Sequence, residues 1–140
     1  MPDPPPPPPA QDIDPFQLAM AEAEQEREHF CKNPDRRVLQ KTMLTKTSDY
    51  WSDRAGVAEA GDQVHLSDIH IDIATVSACD EFGHRVDGTV NVPIVRGCVF
   101  LDGQCIGWMS LFRPGLPEHL NWLGSGSRPK ACPASKAYVE

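Results

Sequence analysis

The chain has 140 residues, 40% of them hydrophobic, with 13 basic against 20 acidic side chains and a net charge of −7. That length fits one domain with appendages, and a negative chain with no broad basic face argues against nucleic acid as the partner. No run approaches the roughly 18 apolar residues that a membrane-crossing helix needs, so no membrane is expected either.

Charge and proline are unevenly placed. Residues 1–30 hold seven acids and one arginine, whereas residues 31–47 hold five bases and one acid. Twelve of the 14 prolines fall in residues 1–15 and 113–140, which leaves a middle of ordinary composition, long enough to bury a core. The N-terminus lacks the basic stretch and apolar run of a secretory leader, so the expected location is the cytoplasm or the inside of an assembled particle. In such a reducing place the five cysteines, odd in number and without a C-x-x-C pair, are expected as thiols.

Residues 1–13 read as an arm. Pro4, Pro5, Pro6, Pro7, Pro8 and Pro9 each fix φ and lack an N–H, so the run should form a polyproline II rod about 19 Å long at ~3.1 Å per residue. A rod that is already ordered loses little entropy on docking. Pro4 to Pro9, with Phe16 just beyond, are therefore the candidate partner-binding residues, the alternative being a solvated spacer.

Residues 14–47 predict a helical hairpin. Asp14 suits an N-cap and Pro15 the first helical position. Phe16, Met20, Ala23, Arg27 and Phe30 trace one stripe, while Glu22, Glu24, Glu26 and Glu28 occupy the other faces. The helix must stop near Asn33-Pro34, because the residue before proline avoids the α region. Asn33 could cap a second helix over about 34–46, with Val38, Leu39, Met43 and Leu44 on its apolar face and Arg36, Arg37 and Lys41 outward.

Residues 48–112 predict an antiparallel sheet, sandwich or barrel after a loop at 47–62 that Tyr50 and Trp51 anchor to the core. From residue 63 the period changes to two: Ile69, Ile71 and Ile73 alternate with Asp68, His70 and Asp72. Pro93 cannot donate to a ladder, so its strand lies at an edge or carries a bulge. Asp102-Gly103 fits a two-residue type I′ hairpin in which Leu101 faces Gln104, Phe100 faces Cys105 and Val99 faces Ile106. On that register Val99, Leu101, Ile106 and Trp108 share one face, and Cys98, Phe100, Cys105 and Met109 the other. Residues 113–140 read as an irregular segment, with its last dozen residues a flexible tail.

Chemistry is sparsely signalled. Asp68, His70 and Asp72 would set two carboxylates and an imidazole on one strand face, the ligand types of iron, manganese or zinc, although a solvated strand face shows the same letters. Cys98 and Cys105 would lie diagonally across the hairpin, where packing of buried cysteines is a safer account than a disulfide. No nucleophile elbow, phosphate loop or dinucleotide glycine pattern occurs, so no cofactor is expected. The expectation is a non-enzymatic α+β accessory or structural subunit that docks on a protein partner, in a virion or multi-subunit complex, through its proline-rich arm and β-hairpin. The alternatives are an acidic inhibitor acting through residues 14–30 and a metal-dependent enzyme using Asp68, His70 and Asp72. Oligomeric state is not legible.

Overall fold

The computed structural model describes residues 15–79, 84–114, 130–131 and 137–140. Helix α1 (Pro15–Lys32) is followed by strands β1 (Asp35–Arg37), β2 (Thr42–Thr45), β3 (Arg54–Ala58), β4 (Gln63–Cys79), β5 (Arg85–Leu101), β6 (Gln104–Phe112) and β7 (Lys130–Ala131). The strands form one antiparallel sheet in the order β1-β4-β5-β6-β2-β3, with β7 pairing the far end of β4. Among the described residues no helix is long and apolar enough to cross a membrane.

The α1 helix starts at Pro15 and ends at Lys32, as its sequence signals predict. Ala19, Ala23 and Phe30 are its buried residues, and Arg27, assigned to the stripe, is exposed. Its C-terminus is capped from outside. Arg36, on β1, donates through Nε to the Asn33 carbonyl (2.6 Å) and through Nη2 to the His29 carbonyl (3.2 Å), and its guanidinium lies 4.8 Å over the Phe30 ring. A cation at the C-terminal carbonyls complements both their lone pairs and the helix dipole.

The second helix of the expected hairpin does not exist. The fold is a curled antiparallel sheet, a half-barrel with a single helix among the described residues, rather than a helical hairpin beside a small sheet. Residues 35–37 pair with β4 and residues 42–45 pair with β3, so adjacent apolar residues point opposite ways. Val38 and Leu44 are 1% exposed, whereas Leu39 and Met43 are 45% and 56% exposed. Ladder partners outweigh the modest helix preference of this segment, and Thr42, Thr45 and Thr47 suit an extended chain.

Strand order itself requires the curl. Arg37 and Thr42 are joined by five residue steps, at most ~18 Å of extended chain, yet β1 and β2 lie four strand spacings apart, roughly 19 Å if the sheet were flat. Rolling the sheet brings the two flanks together. Residues 137–140 then close the gap: Val139 bridges Val38, Ala137 bridges Phe112, and the Leu39 and Glu140 amides donate to Tyr138 and Arg37 carbonyls. Val139 is buried and Tyr138 half-buried, so this segment is part of the folded body and not the flexible tail that composition suggests.

Inside the curl, Val38, Leu44, Val64, Leu66, Val95, Val99, Met109, Leu111 and Val139 pack with Ala23 and Phe30 of α1. A smaller cluster of Ala74, Val76, Val92 and Ile94 lies under Tyr50. The loop at 47–62 is shorter than composition suggests, because Arg54–Ala58 forms β3. Pro93 pairs with Ile73 in the part of β5 beyond the end of β6, where among the described residues only β4 is a ladder neighbour. Cys79 carries a disulfide whose partner lies outside the described residues, while Cys31, Cys98 and Cys105 are free, so the expectation of five thiols is corrected.

The hairpin turn is where the sequence places it. Asp102 (φ 52°) and Gly103 (φ 80°) both take positive φ, and Leu101 pairs Gln104 and Phe100 pairs Cys105. Beyond that the expected register fails by one residue: Ile106 is a bulge, Val99 pairs Gly107 and Cys98 pairs Trp108. The bulge exchanges the two face assignments, so Met109 enters the core with Val99 while Trp108 joins Cys98 on the other side.

Candidate functional site

The face of β5 turned away from α1 carries Arg96, the largest fully buried side chain of the molecule among the described residues. It occupies a central position. His70 on β4 and Ser110 on β6 flank it in the ladders, and the loop after β2 folds over it. Its Nη1 donates to Ser110 Oγ (2.8 Å), its Nη2 to Thr45 Oγ1 (2.5 Å) and the Trp108 carbonyl (3.4 Å), and its Nε to the Ser48 carbonyl (3.1 Å). Tyr50 lies beneath, its ring centroid 5.6 Å from the guanidinium carbon.

These acceptors are all neutral oxygens. None of the ion pairs among the described residues includes Arg96. Burial lowers its pKa below the usual arginine value, opposed by the nearby charge of Asp72, and an arginine stays protonated under such a shift. Asp72 is engaged elsewhere: its Oδ2 accepts the Tyr50 amide at 2.9 Å, which pins the loop to β4. Trp51 adds a second pin through Nε1 to the Thr75 carbonyl (3.0 Å), and its ring meets Tyr50 edge-on at 4.8 Å.

Arg96 lines an open pocket of about 330 Å³, with Ser110, Tyr50, Tyr138, Met43 and Trp51 among its walls. Met43 (56% exposed) and Trp51 (66% exposed) give the lining its exposed apolar surface, beside Lys41 and Ser52. Tyr50 does anchor the loop, as its sequence position suggests. Trp51 holds on by its indole N–H and leaves most of its ring in solvent. Chemically this is a cation at the wall of a cavity with an aromatic and thioether edge, groups that complement a carboxylate attached to an apolar group. Arg96 escapes a motif search because it is a single charge. Its signal is a lone arginine inside the apolar run "VNVPIVRGCVF".

The residues singled out from sequence are placed as follows. Pro4 to Pro9 lie outside the described residues, and Phe16 is half-buried in the first turn of α1. Asp68 falls in a bulge of β4 (φ 49°) and is exposed, with its carbonyl facing His70 Nδ1 at 3.0 Å. His70 meets the Trp108 ring at 5.6 Å, and Asp72 holds the Tyr50 amide. Among the described residues no group of three or more His, Cys, Asp or Glu is gathered closely enough to hold a metal ion. Of the acidic set on α1, Glu24 and Glu28 are exposed while Glu22 and Glu26 are half-buried. A second surface pocket, near β1 and the hairpin turn, holds an exposed His65–Asp35 pair at 2.8 Å. The chain matches no known protein family, no curated protein and no solved structure.

Proposed function

We propose that the protein is a non-enzymatic docking subunit that receives an acidic side chain of a partner protein in the Arg96 pocket. The observation that carries this reading is a buried arginine, Arg96 (1% exposed), in the wall of an open pocket, whose guanidinium hydrogen-bonds only to neutral oxygens among the described residues. Burying a cation costs several kcal/mol, and hydrogen bonds to neutral groups offset only part of that. Asp72 and Asp49 lie near enough to favour the cation but neither hydrogen-bonds to it, so an incoming carboxylate would supply the first charge-assisted bonds from this guanidinium to an anion, stronger than those it joins.

Two features favour a protein over a small molecule as the donor. Met, Trp, Tyr and Arg are the residue types enriched in interface cores, and here all four surround one opening. A volume of about 330 Å³ is also at the small end for a cavity that engulfs a ligand. The proline-rich arm would add a second contact on the same partner.

The test is a displayed random-peptide selection on the full chain, with a Trp51→Ala/Met43→Ser double variant as the counter-target. Both side chains are exposed, and because the Trp51 indole also pins the loop to the Thr75 carbonyl, the double variant is used only once its circular dichroism and denaturant midpoint match those of the parent. Enriched peptides should carry Asp or Glu beside an apolar residue, bind the counter-target at least about tenfold more weakly, and lose binding when the acid becomes its amide. Peptides without an acid, or binders indifferent to the double variant, would refute the reading. Saturation by simple aromatic carboxylates with no peptide enriched would replace it with a small-molecule receptor.

A further inference from the structure

We propose that Cys98 and Cys105 form a dithiol site that reacts with a small organic disulfide and closes into a disulfide across the β5–β6 hairpin. The inference is independent of the Arg96 pocket. The two Sγ atoms stand 2.9 Å apart, one from each strand, and neither cysteine is bonded to another residue's sulfur. The hairpin creates this pairing: Cys105 is opposite Phe100, Cys98 is opposite Trp108, and the two thiols are diagonal neighbours on one face of the sheet.

Their environments differ in a way that orders the chemistry. Cys105 is exposed and Cys98 is buried. Burial, with the thiol of Cys105 adding to it, pushes the Cys98 pKa up to about 12, so Cys98 meets external reagents as a protonated, enclosed thiol. Cys105 therefore acts first. Its thiolate attacks one sulfur of the disulfide RSSR, forming a Cys105–SR bond and releasing RS⁻. Cys98 then gives its proton to the released thiolate and attacks the Cys105 sulfur, breaking the Cys105–SR bond and releasing the second RS⁻. The balance is two protein thiols and RSSR giving one protein disulfide and two RSH. Two electrons pass from the cysteines to the small disulfide.

The experiment uses the full chain with Cys31→Ser, which removes the other exposed thiol among the described residues, and with Cys98 and Cys105 reduced. Oxidised glutathione is added, and intact mass is followed with peptide mapping. The expected product has lost two hydrogens, links Cys98 to Cys105 and retains no glutathione. Adding Cys98→Ser should instead trap glutathione on Cys105, and Cys105→Ser should react about tenfold or more slowly, since only the buried thiol remains. A lasting glutathione adduct on Cys105 with Cys98 intact, or a Cys105 that does not react in the folded chain, overturns the proposal.

Discussion

A Cβ at Gly107 would stand 3.0 Å from the Thr45 carbonyl oxygen and 3.1 Å from Leu44 Cβ, and the backbone there holds φ at 138°. Both demands trace to the Ile106 bulge, which presses β6 against β2 at this point. Gly103, in the turn, also has positive φ (80°) but opens onto empty space. The two glycines therefore separate strain from crowding. Gly103→Ala should cost about 1–2 kcal/mol, the price of a left-handed backbone alone. Gly107→Ala should cost about 2–5 kcal/mol, because overpacking against a carbonyl adds to the strain. Urea unfolding of the two variants gives the comparison, and equal losses would contradict the close approach of β6 and β2. Arg96 is legible at this scale only in outline. Its isolation in an apolar strand marks it, but its acceptors come from residues 45, 48, 108 and 110, which no local pattern connects.

Between Pro34 and Lys46, sequence periodicity and structure part ways, and the difference is measurable. A helix would bury Val38, Leu39, Met43 and Leu44 together. The strands bury Val38 and Leu44 and expose Leu39 and Met43. Leu44→Ala should then destabilise by about 2–5 kcal/mol, while Leu39→Ser and Met43→Ser should each stay within about 0.5 kcal/mol. Large losses at all three positions would favour the helical reading. Elements with strong local signals were recoverable from sequence: α1 from its proline and helix formers, the β5–β6 turn from Asp102-Gly103. The β1 and β2 strands were not, because three or four residues with mixed propensity take their conformation from ladder partners, β4 for β1 and β3 and the distant β6 for β2. Bulges at Asp68-Ile69 and Ile106 were equally silent, and each one shifts the alternation on which face assignments rest. That is why Trp108 and Met109 exchange sides.

For the molecule as a whole, the seam between the β1 flank and the end of β6 is filled by residues 137–140. Removing them would expose Val38 and the core beneath it and leave the Arg37 and Leu111 carbonyls and the Leu39 amide without their partners. Truncation before Ala137 should cost about 3 kcal/mol or more, from Val139 burial together with the lost backbone bonds. The surface ion pair between Arg37 and Glu140 involves half-exposed side chains. Glu140→Gln should therefore change stability by no more than about 1 kcal/mol, and salt should not mimic the truncation. Denaturant midpoints of the three samples decide this. A truncation as mild as the Glu140 change would mean the seam closes without these residues.

The neighbours β1 and β2, four residues apart along the chain, cannot settle until residues from 63 onward and the segment at 137–139 have arrived. The β2–β3, β4–β5 and β5–β6 pairs join consecutive strands through short connections, whereas the β1–β4 and β2–β6 pairs and the bridges of Val139 and Ala137 join residues far apart along the chain. High mean sequence separation between partners slows the search for the native arrangement, and refolding on the millisecond-to-second scale of non-local β topologies follows from it. During that interval the long edges of β4 and β5 are open, so dilute conditions will govern how much refolded protein is recovered.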